Sequence, residues 1–554
     1  MSPSKRVADT CNDNLAPYQG RWIARVGKRI VGQGGTPRQA LQAAKTARYK
    51  EISEIMYIPT TTPFKFPPLV QRVRAALPAD LVVYLVGGAV RDALLSQPIH
   101  DLDFALPDDA LSAARRVADH LGAAYFPLDV ERRTARLIYT DEKGTRHILD
   151  FATLRGPDLQ ADLRGRDFTI NAIAVDIRSP LALLDPLGGA SDLQSKTLRS
   201  CSASSFRSDP VRILRAIRMA AGLDLRITAD TRTQMRAAVS DLSDVSPERL
   251  CFELFRILDG PRPATSIRAL DMLGGLSHLL PELLHLKGID QTPPHIKDVW
   301  GHTMGTVRSL EKLLHVLGPE HDPEASANLM LGLAVVRLGR YRKQISAYMQ
   351  SSLVIDRTLR PLLFLAALYH DVGKPQSSQK EDKTGRIRFL RHEHIGAQIA
   401  GERARKLHLS NAEISWLETV VKHHMRPTWL AHEERGPSNR AVYRFFRDTG
   451  AAGVAISLLG LADVLATYGH TLPQERWERQ LDVTRTLLEA WWENHTRQID
   501  PPVLLSGHDL MQKFDLDPGP LIGELLESVR EAQSAGQVQT GDEALAFVEE
   551  YLRD

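Results

Sequence analysis

The order Leu81-Val-Val-Tyr-Leu-Val86, Gly87-Gly88, Ala89-Val-Arg-Asp-Ala-Leu-Leu95, then His100-Asp-Leu-Asp-Phe-Ala-Leu106, decides how this chain is read. The first run is apolar and short enough for a buried strand, and the third carries a helical pattern. Two glycines between strand and helix let the backbone approach a ligand closely, and a helix N-terminus offers N–H groups to a triphosphate. By itself such a turn is usually only a turn. In the last run Asp101 and Asp103 point to one face of a strand, because side chains alternate with a period of two. Adjacent carboxylates repel unless cations bridge them. Two-metal nucleotidyl transfer has that requirement, one Mg²⁺ activating a 3′-hydroxyl and the other holding the triphosphate. A lone Asp-x-Asp is more often a solvated acidic pair. A third carboxylate, Asp150 in His147-Ile-Leu-Asp-Phe-Ala152, shifts the balance toward catalysis.

Outward from this stretch, residues 80–200 alternate β-branched runs with helical patterns, as in an α/β or α+β domain. From about 205 onward apolar residues recur at helical spacing. Ahead of the stretch, Tyr18-Gln-Gly-Arg-Trp-Ile-Ala-Arg-Val26 and Gly27-Lys-Arg-Ile-Val-Gly32 read as two strands around a Gly27 turn. A helix over Pro37–Tyr49, a strand at Ile55–Ile58 and a proline-rich linker over 59–68 follow. At 554 residues the chain exceeds one core. Six segments are expected: a small α+β module (1–60), a linker and entry helix (61–79), a head (80–200), a helical neck (201–290), a helical metal domain (291–495) and a helical tail (496–554). No apolar run approaches the roughly 20 residues that cross a bilayer. The N-terminus lacks a signal-peptide core, and three scattered cysteines make no disulfide framework. A cytoplasmic protein is expected. The net charge of +3 gives no argument for a nucleic-acid partner.

Gly-Gly-Ala-Val-Arg-Asp followed by Asp-Leu-Asp resembles the opening motif of the class II tRNA nucleotidyltransferase and bacterial poly(A) polymerase family. Four further motifs follow in family order. Arg166-Asp-Phe-Thr-Ile-Asn-Ala-Ile-Ala174 resembles the motif that handles sugar and phosphates, and Asp185-Pro-Leu-Gly-Gly189 with Asp192-Leu193 the head–neck hinge. Phe206-Arg-Ser-Asp-Pro-Val-Arg-Ile-Leu-Arg-Ala-Ile-Arg218 resembles the nucleotide-selecting helix, and Ser246-Pro-Glu-Arg249 the fifth motif. The resemblance implies an α/β head with a polymerase-β-like sheet, an all-α neck and body, and an all-α HD domain. It implies catalysis by Asp101, Asp103 and Asp150. Nucleotide binding is implied for Gly87, Gly88, Arg91, Arg166, Asp167, Asn171, Asp209, Arg212, Arg215 and Arg218. Spacing puts Asp209, Arg212, Arg215 and Arg218 along one side of a helix. A carboxylate beside a guanidinium pairs with cytosine or adenine, whereas uracil and guanine present a carbonyl where these present an amino group. Ser208 departs from the family, which usually places an acid there. Phe126–Ala135 is a short candidate for the loop that helps switch from C to A.

Farther on, Trp300-Gly-His-Thr-Met304, Ala366-Ala-Leu-Tyr-His-Asp-Val-Gly-Lys-Pro375, His392-Glu-His-Ile-Gly-Ala397, His423-His424 and Gly460-Leu-Ala-Asp463 supply imidazoles and carboxylates on separate helices. Such sets hold first-row metals. His302, His370, Asp371 and Asp463 resemble the four-ligand HD pattern, and His394 and His424 fit the extra ligands of two-metal versions. Mn²⁺, Ni²⁺, Co²⁺, Fe²⁺ or Zn²⁺ would suit them. Leu505-Ser-Gly-His-Asp-Leu-Met511 and Pro518-Gly-Pro-Leu-Ile-Gly523 resemble the family's tRNA-holding tail. The expected partners are tRNA, CTP and ATP, with no membrane. The function expected is addition of C, A or both to tRNA 3′ ends. The alternatives are a poly(A) polymerase, or an HD nucleotide phosphohydrolase with an RNA-binding head.

Overall fold

The computed structural model describes residues 16–18, 21–26, 29–35, 37–47, 54–58, 65–99, 101–178, 183–320, 322–382, 384–433 and 436–553. The expected Gly27 turn, His100 and most of the 59–68 linker lie outside them. The chain divides into two units, Met1–Ala238 and Val239–Asp554.

The first unit opens with a three-stranded antiparallel sheet, β1 (Arg21–Val26) lying between β2 (Arg29–Gly34) and β3 (Glu54–Ile58). The helix Pro37–Thr46 crosses it and buries Ala40 and Ala44 against Ala24. Gly32 permits that approach, since a Cβ there would stand 2.3 Å from the Ala40 carbonyl oxygen.

The head is a seven-stranded mixed sheet. Its strands are β4 (Tyr84–Val86), β5 (Asp101–Leu106), β6 (Ala124–Asp129), β7 (Thr134–Thr140), β8 (Arg146–Thr153), β9 (Ala174–Asp176) and β10 (Leu183–Leu184), in the order β10-β9-β4-β5-β8-β7-β6. Alternation divides the side chains between faces. Leu102, Phe104, Leu106, Leu149 and Phe151 join a core with Val73, Ala114 and Val117 from the helices Pro68–Ala76 and Ala110–Leu121. Phe104 and Phe151 stack at 4.8 Å between ring centroids and are fully buried. Truncating either to alanine would cost about 3–5 kcal/mol. The opposite face keeps Asp101, Asp103 and Asp150. The expected switching loop is a hairpin: β6 runs to Asp129, and only 130–133 separate it from β7.

The second unit is almost wholly helical. The helix Ala452–Tyr468 is buried nearly all round and packs against Val299–Val316, Leu359–Tyr369, Asn411–His423 and Gln474–Trp492. Its extension, Ala452–Thr471, is long and apolar enough to cross a membrane, contrary to the expectation that no run is; most of it is buried within the protein. A core helix must be apolar on every side, and this composition follows from that. The helices Gly507–Phe514, Pro520–Ser534 and Gly541–Tyr551 gather around Leu510, Leu525 and Val548.

Candidate active site and metal centre

Parallel pairing of β5 with β8 sets Asp103 beside Asp150, and Asp101 lies two residues along on the same face. Asp101 is exposed and Asp103 half-buried. Burial pushes the Asp103 carboxyl up to about 6; Arg166 opposes the rise, and Asp150 and Asp101 add to it. Clustered carboxylates with a raised pKa are an electrostatic site for cations. Asp150 is held by Arg136, its register partner on β7, whose Nε and Nη2 each donate a 2.8 Å hydrogen bond to it. Sequence reading missed Arg136; its signal is the cross-strand pairing, which needs the register.

Gly87 adopts φ +75°, a left-handed conformation that favours glycine, and a Cβ there would lie 3.3 Å from both the Asp103 carboxylate and the Arg166 guanidinium. The strand–helix turn therefore lies against Asp103 and a cation at once. Its helix, Gly88–Leu94, is only seven residues long, so charge near the turn comes mainly from arginines. Arg166 is oriented by buried Asp162, which accepts from its Nε at 3.1 Å and pairs with Nη2 at 3.0 Å. Asp162 was also missed, although its i,i+4 spacing to Arg166 is visible in sequence. Arg91 Nη1 donates to Asn171 Oδ1 at 2.7 Å, Asn171 Nδ2 donates to Asp167 at 3.1 Å, and Asp167 pairs with Arg215 at 3.2 Å. Burial opposes the Asp167 charge, but Arg215 and hydrogen bonds from Asn171 and the Phe168 amide hold its pKa low. This chain links four of the expected nucleotide-binding residues.

The selecting helix differs from expectation. It spans Arg212–Gly222, and Asp209 stands before it in extended conformation (φ −155°, ψ 93°). The cause is Pro210, whose ring disfavours helical geometry in the residue ahead of it. Asp209 nevertheless remains near Arg212, at 3.9 Å from its Nε. Arg212 is anchored by its neighbours: Nη1 donates to the Arg166 carbonyl at 3.2 Å and the Ser205 hydroxyl at 2.8 Å, and Nη2 to the Gly165 carbonyl at 3.0 Å. Arg215 and Arg218 follow it on the half-buried side, with Ile213, Leu214 and Ile217 facing the core.

In the second unit five elements converge. His302 Nε2 lies 2.9 Å from Asp463 Oδ1, 3.4 Å from Asp371 Oδ2 and 3.3 Å from His370 Nε2. On the other side of Asp371, His392 Nε2 is 3.4 Å and His424 Nε2 3.9 Å from Oδ1. Two triads thus share one neighbourhood: His302, His370 and Asp463, and Asp371, His392 and His424. His370, His392 and His424 each place Nδ1 at 2.7–2.8 Å from the carbonyl oxygen three residues back. Donation there fixes the tautomer and aims the Nε2 lone pair inward. Burial works against charge on His370, but Asp371 and Asp463 outweigh it and push its pKa up to about 10. A setting that favours a proton there favours a metal cation in its place. Burial and the neighbouring imidazoles push His424 down to about 3.

His394 is not part of this cluster. Its side chain is 57% exposed, beside Glu393, and His392 takes the inward position. The reason is local: Gly373 packs directly on the first turn of His392–Lys406, where a Cβ would meet the His392 carbonyl oxygen at 2.2 Å. Lys374, also missed, lies 2.7 Å from Asp371 Oδ2 and donates to Gln291 at 2.7 Å.

The poly(A) polymerase head domain matches residues 83–199, the probable RNA and SrmB-binding site of polymerase A 224–286, the HD domain 338–457, and the putative tRNA nucleotidyltransferase domain 2 479–548. An A-adding tRNA nucleotidyltransferase of Deinococcus radiodurans is 34% identical over 85% of this chain and 95% of its own length. The chain belongs to the tRNA nucleotidyltransferase family. A CC-adding member from Geobacter sulfurreducens is 33% identical over 84% of this chain and 91% of its own. Among solved structures, a CCA-adding enzyme in complex with ATP aligns with TM-score 0.56 at 23% identity, covering 87% of this chain and 94% of that one. The Thermotoga maritima CCA-adding enzyme with tRNA aligns with TM-score 0.51 at 22% identity, covering 89% and 100%. These two establish a shared fold. As a member of this nucleotidyltransferase family with an HD domain, the protein depends on divalent metals, and the residue groups able to hold them are those described.

Proposed function

We propose that this nucleotidyltransferase adds C, A or both to the 3′ end of tRNA, in the cytoplasm, from CTP and ATP. The observation that carries the reading is the placement of Asp103 beside Asp150, with Asp101 two residues away, against the Gly87 turn and Arg166. Asp101 and Asp103 would hold Mg²⁺, which supplies charge neutralisation and lowers the pKa of the 3′-hydroxyl. The hydroxyl oxygen bonds to the α-phosphorus as its proton passes to solvent water, and the bond from that phosphorus to the β-phosphate oxygen breaks to release pyrophosphate. Gly87 and Gly88 give the triphosphate room and Arg166 and Arg91 neutralise it; Asp162 keeps Arg166 in place, and Asn171, braced by Asp167, keeps Arg91 in place. Asp209 and Arg212, supported by Arg215 and Arg218, would read the amino edge of C or A. In the second unit, His302, His370, Asp371, His392, His424 and Asp463 would hold one or two ions among Mn²⁺, Fe²⁺, Co²⁺, Ni²⁺ and Zn²⁺. The shared Asp371 favours a phosphohydrolase centre there.

The test is incubation with tRNA transcripts that lack CCA, or end in CC, with CTP, ATP or both. Addition of one to three residues followed by arrest supports the reading. A long A tract on any RNA would make the protein a poly(A) polymerase. Nucleotide hydrolysis without incorporation would make the HD centre its only activity.

A further inference from the structure

The small N-terminal module carries a charge that the rest of the chain does not share. Residues 1–60 hold ten lysines and arginines against four aspartates and glutamates, a net +6, whereas the whole chain carries +3. The remaining residues are therefore net negative. Of the family models matched, the first begins only at residue 83.

Three of these cations are exposed among the described residues. Arg21 at the start of β1, Arg29 at the start of β2 and Lys45 in the last turn of the helix Pro37–Thr46 are all exposed. Trp22 is not a stacking platform, because it packs on the Ala24, Ala40 and Ala44 core. Among the described residues, the module is a small scaffold that presents exposed cations. That surface fits a polyanion read through its phosphates and not through its bases.

From this we infer that the N-terminal module is an auxiliary RNA-binding element that holds the tRNA substrate by phosphate contacts from Arg21, Arg29 and Lys45. The inference rests on the tRNA reading above. Each such contact makes affinity vary as roughly the 0.9 power of inverse salt concentration, so three contacts are worth roughly a hundredfold between 1 M and 0.15 M salt.

The experiment uses the full chain with R21Q, R29Q and K45Q combined, beside a charge-keeping R21K, R29K and K45R variant. Steady-state nucleotide addition is measured over a range of salt. The neutral variant is expected to raise the KM for tRNA by at least about tenfold at 0.15 M salt with kcat unchanged. Its log–log salt slope should fall by about 3, and the charge-keeping variant should match wild type. An unchanged slope, with addition intact, overturns the inference and leaves the tRNA reading standing. So does loss of binding to phosphatidylserine vesicles with tRNA kinetics unchanged, which would assign the patch to a membrane surface. A kcat loss shared by both variants would mark the module as structural support and also overturn it. If wild type itself adds nothing to tRNA, it is the functional reading that fails.

Discussion

Replacing Asp103 by asparagine should stabilise the metal-free protein while abolishing nucleotide addition. In the fold this carboxyl has its pKa raised from 3.8 to about 6, first by burial and then by Asp150 and Asp101. A carboxylate whose folded pKa is raised contributes its stability below the unfolded pKa and loses it as pH rises through the folded one. At 1.4 kcal/mol per pH unit the charged form costs roughly 3 kcal/mol at pH 7.5. Because Asp103 is only half-buried, solvent reduces this to about 2 kcal/mol. For a unit of this size that corresponds to roughly 4–8 °C in Tm. The isosteric amide removes the charge without removing volume. Scanning calorimetry in EDTA should therefore show Asp103→Asn melting higher than wild type at pH 7.5. The advantage should fall to about a third by pH 4.5, where wild-type Asp103 is itself protonated. Mg²⁺ should raise the wild-type Tm and leave the variant unmoved. Equal melting temperatures at pH 7.5, or an advantage undiminished at pH 4.5, would refute the reasoning.

Other substitutions divide the remaining roles. Asp162→Ala frees Arg166 from its 3.0–3.1 Å anchor and is expected to raise the KM for every nucleotide about tenfold, with base preference unchanged; a selective effect on one base would be inconsistent with triphosphate neutralisation. Arg212→Ala is expected to relax the preference for CTP and ATP over UTP and GTP more than it slows all four. A uniform loss would confine Arg212 to the anchoring hydrogen bonds it makes with Gly165, Arg166 and Ser205. His392→Ala should lower bound transition metal, measured by elemental analysis, whereas His394→Ala should retain it. The reverse result would show that the inward histidine has been misassigned.

The head was legible because its signals are local. A strand, two glycines and alternating aspartates lie within about twenty-five residues, and period-two alternation alone puts Asp101 and Asp103 on one face. Arg136 escaped because only strand register reveals it as the partner of Asp150. Asp209 was placed on the helix by its spacing to Arg212, when the deciding residue was the proline after it. In His392-Glu-His394 the two imidazoles are equivalent by sequence; the packing of Gly373 on that helix's first turn selects between them, and this is a tertiary fact. The helix Ala452–Tyr468 was underestimated because Ser457 and Asp463 interrupt a run that is apolar on all sides.

The most direct measurement is single-turnover incorporation of labelled CTP and ATP into tRNA lacking its terminal nucleotides, with Mg²⁺, by wild type, Asp101→Ala and Asp103→Ala. Each variant should keep its fold, since neither substitution removes core volume, and should lose incorporation by at least about a hundredfold. Wild type should stop after completing its part of the CCA end. Incorporation within about tenfold of wild type by either variant would contradict the assignment of these carboxylates to catalysis.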